Sequence, residues 1–532
     1  MSVPGSVGQP TKESVSSARD LDRISDARIA GKPTLSSLDG PADALSEKRI
    51  GVLVVAYNAS STLARVLDRI PRDFVHRISE VLVSDDSSSD ATYLVGLGYG
   101  HHRADLPLTV VQQSQNLGYG GNQKVGYRWA IEHGLDIVVL LHGDGQYAPE
   151  LLPQMVEPLE LDECDAVFGS RMLEAGAARA GGMPLYKHLG NRILTAFENR
   201  AAGASLSEWH SGYRAYSVDA LKQIPFESNS DGFDFDTQII LQLLESGKRI
   251  VEIPIPTFYG DEICYVNGMK YAKDVTRQVV KYRAHKMGFG SGESAFASDA
   301  YELKLSPDSS HGRLVSWMSH RSPARVLDLG CSDGKVAAEL RSFGHRVTGV
   351  DIEELPGVRD RMDQFVVADL EQGIPTEVGD GYDVVLAADV LEHVRDPGSL
   401  LRAMSERLTH GGSIITCIPN FAHWYPRARV ALGAFDYDRR GILDRGHVRF
   451  FTRKSFERLA ESQGLEVRRR EAIGLPLEVA NRSAAGDGAG ATAERRRPSG
   501  LHRVDRAAVA LRPTLFAYQF IFELEAAASK RY

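Results

Sequence analysis

Short runs of acidic, glycine and histidine residues follow apolar runs along this chain, and their placement points to ligand chemistry. Asp85-Asp86-Ser87-Ser88-Ser89-Asp90 follows the apolar Val81–Val83. A carboxylate at such a strand end can accept hydrogen bonds from a base or a ribose. Asp and Ser also cap a following helix, but capping accounts for only one of three Asp. His142-Gly143-Asp144-Gly145-Gln146 follows the apolar Ile137–Leu141. Oxygen donors there suit a hard divalent cation bridging a diphosphate, and a solvated turn on the two glycines is the other reading. Farther on, Val326–Leu329 runs into Gly330-Cys331-Ser332-Asp333-Gly334, where glycines let the backbone approach a ligand closely. The next strand ends at Asp351, about twenty residues later, a spacing at which an acid binds ribose hydroxyls. The order of glycines is not the G-x-G-x-x-G of a pyrophosphate site. His393 and His447 are candidate bases for a hydroxyl nucleophile; a structural hydrogen bond is the alternative for each.

Positioning such groups at strand ends requires alternating strands and helices. Ile50–Ala56 is a continuous apolar run, as expected of a strand buried on both faces. Val81–Val83, Leu108–Val111 and Ile137–Leu141 continue the series, with helical patterns at Leu63–Ile70 and Lys124–His133 between them. A second alternation begins at Arg325, with strands expected at Val326–Leu329, Arg346–Val350, Phe365–Ala368, Asp383–Ala387 and Ile414–Ile418, and a helix at Lys335–Phe343. Strands alternating with helices imply parallel sheets. In such sheets ligands bind beyond the carboxyl ends of the strands. The fold class expected is α/β, with two doubly wound α/β domains: residues 49–287 and residues 323–480. Residues 1–48 read as a disordered tail, too poor in apolar residues to offset their ordering entropy. Residues 288–322 read as a linker. Residues 481–532 read as a low-complexity segment followed by a helical tail, interrupted at Pro513 and either packed on a domain or lying on a surface near anionic lipid.

Composition narrows the function classes. The 532 residues are 43% hydrophobic and 25% charged, which excludes a mostly disordered chain. No run of 18 apolar residues is present, so no membrane span is expected. A net charge of -8 argues against broad electrostatic binding of nucleic acid. Four cysteines, far apart and without a CxxC spacing, read as reduced thiols in a cytoplasmic protein.

The motifs of the first half, taken in order, carry a resemblance. They are V-A-Y-N (Val55–Asn58), D-D-S-S-S-D-A-T, N-L-G-Y-G-G-N (Asn116–Asn122), H-G-D-G-Q-Y-A-P-E, F-G-S-R (Phe168–Arg171), S-G-Y-R-A-Y (Ser211–Tyr216), F-D-F-D-T-Q (Phe233–Gln238) and R-I-V-E-I-P-I. This half resembles family 2 glycosyltransferases of GT-A fold, in their dolichyl-phosphate mannosyltransferase-like branch. The resemblance implies that Tyr57, Asp85 and Asp86 hold the nucleoside of a sugar nucleotide. It implies that Asn116 and Gly118 shape a loop near the base and phosphates, and that His142, Asp144 and Gln146 form the metal and diphosphate motif. Arg171 and Arg214, with Lys187 beside them, would face phosphate, and Asp234 and Asp236 would position or deprotonate the acceptor. His142 stands where the family usually has Asp; an imidazole brings no negative charge and favours softer metals.

The second half is similar to class I S-adenosylmethionine-dependent methyltransferases. The similarity rests on D-L-G-C-S-D-G (Asp328–Gly334), V-V-A-D-L (Val366–Leu370), Y-D-V-V-L-A-A-D-V-L-E-H-V-R-D-P, L-T-H-G-G-S-I-I-T-C-I-P-N (Leu408–Asn420) and G-H-V-R-F-F-T (Gly446–Thr452). It implies that Asp328, Gly330 and Gly334 cradle the methionine part, Asp351 the ribose, and Asp369 and Leu370 the adenine, with Asp389 lining the methyl-transfer cleft. The function expected is a bifunctional transferase. It would use a nucleotide sugar, a divalent metal (Mg or Mn), a glycan or polyprenyl-phosphate acceptor met peripherally at the inner face of the membrane, and S-adenosylmethionine for methylation, most simply at oxygen. Two alternatives accompany it: only the methyltransferase is active and the first domain is a degenerate binding module, or the chain is a non-enzymatic scaffold of a glycan-assembly complex.

Overall fold

The computed structural model describes residues 48–256, 267–290, 309–438, 440–477 and 500–527. The tail read over residues 1–48 lies outside these residues apart from Lys48, as does the low-complexity segment of 481–532 as far as residue 499. Among the described residues, no helix is long and apolar enough to cross a membrane.

Seven strands build the first sheet: β1 (Ile50–Ala56), β2 (Ile78–Asp85), β3 (Leu108–Gln112), β4 (Ile137–His142), β5 (Ala166–Ser170), β6 (Arg214–Ser217) and β7 (Ile250–Pro254). Their spatial order is β3-β2-β1-β4-β6-β5-β7. All neighbours are parallel except β6, which runs antiparallel to both β4 and β5. Every residue of β1 is buried, as expected of a central strand covered by helices on both faces. Its alternation divides the core: Val52 and Val54 pack on one side, Leu53 and Val55 on the other. The register pairs Ala56 with Asp85 and Val55 with His142, so the polar clusters after β1, β2 and β4 share one edge.

The second sheet contains β8 (Arg325–Leu329), β9 (Arg346–Asp351), β10 (Gln364–Val367), β11 (Tyr382–Ala388), β12 (Leu408–Pro419), β13 (Leu465–Ile473) and β14 (Gln519–Ala526), in the order β10-β9-β8-β11-β12-β14-β13. The first five strands in that order are parallel, and β14 is antiparallel to both its neighbours. Both sheets are therefore mixed α/β sheets.

Three expectations change. The tail is helical at Gly500–Leu511 and Pro513–Phe516, with the break near Pro513, but Gln519–Ala526 is a strand inserted between β12 and β13. Phe520, Phe522 and Leu524 enter the second core, which an isolated helix could not complete. The stretch read as linker contains the helix Ser310–Ser319, whose Leu314, Trp317 and Met318 also belong to that domain's core. Phe289 is buried against Ile442 and Tyr518.

The third change concerns N-L-G-Y-G-G-N. A helix begins at Gly118 and runs to Glu132, six residues earlier than its periodicity indicates. Gly118 has φ +81°, a conformation glycine adopts freely. Gly120 instead lets this helix touch the segment before the helix Phe235–Glu245: a Cβ there would lie 2.4 Å from the Ser230 carbonyl oxygen. Gly120→Ala should destabilise the first domain by about 2 kcal/mol, because overpacking against backbone outweighs the helix-propensity gain. Urea unfolding checks this, and a change within 0.5 kcal/mol of zero, the size of an ordinary surface substitution, would contradict the packing role.

Candidate functional site

At the carboxyl edge of the first sheet, His142 ends β4 between two aromatic walls. The Tyr119 and Tyr147 rings lie 5.6 and 5.0 Å away, both edge-on. Tyr119 donates its hydroxyl proton to Asp236 Oδ2 at 2.9 Å, and His142 Nε2 lies 3.4 Å from the same hydroxyl. Asp236 also faces Arg214 Nη1 at 3.4 Å. His142, Tyr119, Asp236 and Arg214 thus form a continuous chain. Gly212 makes room for it, since a Cβ at that position would lie 2.5 Å from His142 Nε2. The Gly212 amide donates to the Tyr147 hydroxyl at 2.7 Å, fixing the second wall. Burial pushes the His142 imidazole below its usual pKa; Asp144 and Asp236 oppose this, while Arg214 and Arg171 reinforce it. The ring is therefore a neutral nitrogen donor at pH 7. Asp144 is partly exposed on the following turn, and its Oδ1 accepts the Gln146 amide at 3.0 Å.

The other residues implied for this site have specific places. Tyr57 is 42% exposed beyond β1, beside the buried Asp85 and Asp86. Asp85 accepts from Ser88 and from Gln112 Nε2. Asp86 accepts the Leu117 and Gly118 amides at 2.7 and 3.0 Å, so it caps the helix from Gly118. Burial raises the Asp86 pKa despite those amides. Asn116 donates to the Asp86 carbonyl, tying its loop to β2. Arg171 is held by Glu208 through its amide at 2.8 Å, its Nε at 3.0 Å and its Nη2. Burial alone would raise the Glu208 pKa, but Arg171 beside it brings the carboxyl below the usual range. Lys187 sits in the first turn of the helix Leu185–Ala202. Arg214 is 1% exposed: Nε donates to the Ser211 carbonyl and Nη2 to the Trp209 carbonyl, both at 2.8 Å. It supports the site from beneath. Asp234 accepts from Ser230 and Gln278 and does not join the His142 chain.

Tyr119, Tyr147 and Gly212 lie inside the sequence motifs but outside their polar clusters, and Glu208 lies in none of the motifs. The aromatic residue in each motif was the available signal for the walls.

In the second domain, Asp328 ends β8 and is 5% exposed, with no hydrogen-bond partner for Oδ2. Burial and the nearby Asp351 push its pKa up to about 7. Gly330, Ser332 and Gly334 all have positive φ, giving a tight strand-to-helix turn. A Cβ on Gly330 would lie 2.6 Å from Val390 Cγ2. Asp351 Oδ2 accepts the Ser332 amide at 2.7 Å, pinning this turn to the end of β9. Asp369 Oδ1 accepts the Glu371 amide, and Leu370 follows it, half-buried. Asp389, just past β11, has φ +56° and accepts Gln519 Nε2 at 2.7 Å. That contact brings β14 to the cleft, and Gln519 was missed because its segment read as helix. His393 is exposed, His447 is buried, and their rings lie 4.8 Å apart.

The chain thus has two α/β domains, one a mixed sheet with an imidazole–carboxylate edge, the other a mostly parallel sheet with a tight glycine turn and a buried carboxylate oxygen without a partner. The chain belongs to glycosyltransferase family 2 and carries a methyltransferase domain as well. The model described as glycosyl transferase family 2 matches residues 51–224, and that described as methyltransferase domain matches residues 306–469. Undecaprenyl-phosphate mannosyltransferase of Micrococcus luteus is 32% identical over 218 residues, covering 40% of this chain and 85% of that protein. Ubiquinone biosynthesis O-methyltransferase of Pseudomonas savastanoi is 32% identical over 114 residues, covering 19% of this chain and 47% of that protein. Among solved structures, glucosyl-3-phosphoglycerate synthase from Mycobacterium tuberculosis with uridine diphosphate aligns with TM-score 0.36 and 19% identity, over 46% of this chain and 86% of that one.

Proposed function

We propose that this protein transfers a sugar, with inversion, from a nucleotide sugar to a polyprenyl-phosphate or glycan acceptor, and methylates a related glycan or small molecule at oxygen using S-adenosylmethionine. The observation that carries the reading is that both sheets gather ligand-type residues at the carboxyl ends of their central strands, where open α/β sheets bind ligands.

In the first domain, His142 and Asp144, with Gln146 nearby, would hold a divalent cation. One imidazole and one carboxylate fit a partial donor set that a diphosphate completes, and they favour Mn over Mg. Such a cation supplies charge stabilisation for a departing diphosphate. Tyr119 and Tyr147 wall the imidazole, and Arg214 pairs with Asp236 and holds it in place. A phosphate acceptor is already an anion and needs little base; a hydroxyl acceptor would give its proton to Asp236. In the second domain, the unpartnered Asp328 Oδ2 fits the ammonium of S-adenosylmethionine, and the Gly330–Gly334 turn fits its close approach. That group supplies an activated methyl; the protein's part is alignment, with His393 or His447 as base.

The name of the Micrococcus luteus relative supports a lipid-phosphate acceptor. So does the surface of the helix Leu185–Ala202, where Leu185, Tyr186, Leu189, Ile193 and Phe197 are exposed at helical spacing beside Arg192 and Arg200. The helix Gly268–Lys286 shows solvent Met269, Val280, Lys270, Lys273, Arg277 and Lys281. Apolar residues among cations suit a membrane surface bearing anionic lipid.

Thermal shifts of the full chain with nucleotide sugars plus Mn or Mg, and separately with S-adenosylhomocysteine, test the reading. Ligand binding to the folded state raises melting in step with saturation. His142→Asp should lower the Mn concentration needed for half-maximal donor binding by about tenfold, as an added carboxylate brings charge to the site. If no nucleotide sugar shifts either protein at any metal concentration, the sugar-transfer half of the proposal fails.

A further inference from the structure

The residues Leu391-Glu392-His393-Val394 follow β11, and the loop Asp444–Phe450 folds over them. The Glu392 carbonyl accepts the Val448 and Arg449 amides at 2.9 and 3.0 Å, so the two segments are locked together. This lock brings Glu392, His393 and His447 side by side, with one ligand atom from each within 4.8 Å of the others. Among the described residues, no other group of three His, Cys, Asp or Glu side chains is gathered in this way.

Two features show that the group is arranged for a ligand. The first is Glu392. Its side chain is 1% exposed, and neither carboxylate oxygen has a hydrogen-bond partner. Burying a carboxyl without partners is expensive, and buried charges are ordinarily paired or bound to metal. The nearest cationic candidate is His447, with Nε2 at 4.0 Å.

The second feature is the orientation of the rings. His393 Nδ1 lies 3.0 Å from the Gly446 carbonyl, and His447 Nδ1 lies 3.3 Å from the Ile442 carbonyl. A carbonyl only accepts, so in both rings Nδ1 carries the proton and Nε2 keeps its lone pair. Metal-ligating histidines are typically fixed by a second-shell acceptor in this way.

We infer that Glu392, His393 and His447 form a divalent-cation site in the methyltransferase domain, separate from the His142–Asp144 edge of the first domain; with the cation bound, both imidazoles are ligands and the cation, in place of a histidine base, activates the hydroxyl. Two imidazoles and one carboxylate match the donor sets of zinc-class ions and leave positions open. Bonds of about 2.1 Å place tetrahedral ligand atoms roughly 3.4 Å apart, so rotations moving the three side chains inward by about 1 Å would close the site. His393 is the exposed member, so the group is reached from solvent on its side, and the positions left open by the three side chains are available to a ligand. They suit hydroxyl oxygens of an acceptor such as a vicinal diol. That consequence rests on the methyl-transfer reading, whereas the cation site itself does not.

The test uses the full chain with Asp144→Asn, which removes the carboxylate of the first-domain site. After EDTA treatment and dialysis, the protein is titrated with Zn alone and with Co alone. Bound metal is counted by elemental analysis, and the Co absorption spectrum reports its ligands. One equivalent per chain is expected, with the visible bands of a low-coordinate imidazole–carboxylate site and no thiolate charge-transfer band. Adding His393→Ala or Glu392→Gln should weaken affinity at least tenfold. The melting shift with S-adenosylhomocysteine should persist in both variants, showing that the domain is folded. Unchanged stoichiometry and affinity in both variants would overturn the site. So would S-adenosylhomocysteine binding by a parent chain that retains no metal, a result that leaves the cofactor reading standing.

Discussion

Arg214→Met is expected to lower the stability of the glycosyltransferase domain by about 3–5 kcal/mol, the usual cost of removing one partner from a buried ion pair. Arg214 lies on β6, in register with Leu140 of β4 and Phe168 of β5, and its guanidinium is 1% exposed. It satisfies the Ser211 and Trp209 carbonyls, faces Asp236, and lies 4.9 Å from the centre of the Phe168 ring. Methionine fills much of the volume but leaves two carbonyls unpaired and Asp236 buried without a cation. Asp236→Asn in the same chain should recover part of the loss, giving a coupling energy above 1 kcal/mol, as expected for contacting residues. The chain has two domains, so a single melting temperature does not report this quantity. Urea unfolding followed by circular dichroism does, with the second-domain transition identified as the one that S-adenosylhomocysteine moves. A loss below 1 kcal/mol would mean that Arg214 does not hold the site together from beneath. The same variant should raise the donor concentration needed for binding, because Tyr119 and His142 are aligned through Asp236.

The polar edges of the two sheets were legible because the rule behind them needs only order along the chain. An apolar run followed by a polar cluster places that cluster at a strand's carboxyl end, whatever the partners of the strand. Asp328, Asp351, His142 and Asp144 all lie where that rule puts them. Charge pairing was less legible. The resemblance implies that Arg171 and Arg214 face phosphate; a sequence displays a cation without its partner, and Glu208 and Asp236 reach them only through folding. In N-L-G-Y-G-G-N the resemblance implies a loop role for Gly118 alone, whereas Gly120 is required by the backbone at Ser230. The tail from Ala517 onward read as helix because a short apolar run does not distinguish a buried strand from a buried helix. Its strand partners, β12 and β13, are distant in sequence, so their pairing could not be inferred locally. The walls Tyr119 and Tyr147, and Gly212 that makes room between them, come from three separate motifs, and only the folded sheet brings them around one imidazole.

Asp328→Asn should produce opposite changes in two measurements on the methyltransferase domain. A carboxyl near pKa 4 in the unfolded chain and about 7 in the folded one holds its proton more tightly when folded. Its contribution therefore favours folding below pH 4 and is lost as the pH rises to about 7. The difference is on the order of 4 kcal/mol between those limits, at about 1.4 kcal/mol per pKa unit. Asparagine cannot ionise, so the variant's second-domain unfolding free energy should lose this slope and exceed that of the native chain at pH 7 and above. S-adenosylhomocysteine carries the ammonium that Asp328 Oδ2 would meet, so its binding should weaken about 100-fold in the variant, the weight of roughly 3 kcal/mol for a buried charged contact. In the native chain binding should tighten as the pH rises towards 7, because the carboxylate must form; in the variant that dependence should vanish. Calorimetry in buffers of different ionisation enthalpy would detect the released proton directly. A variant that binds as tightly as the native chain while gaining stability would place the ammonium elsewhere, leaving Asp328 as a strained acid that the fold carries for some other reason. Weaker binding without any gain in stability would instead mean that another group already satisfies the buried carboxylate in the empty domain.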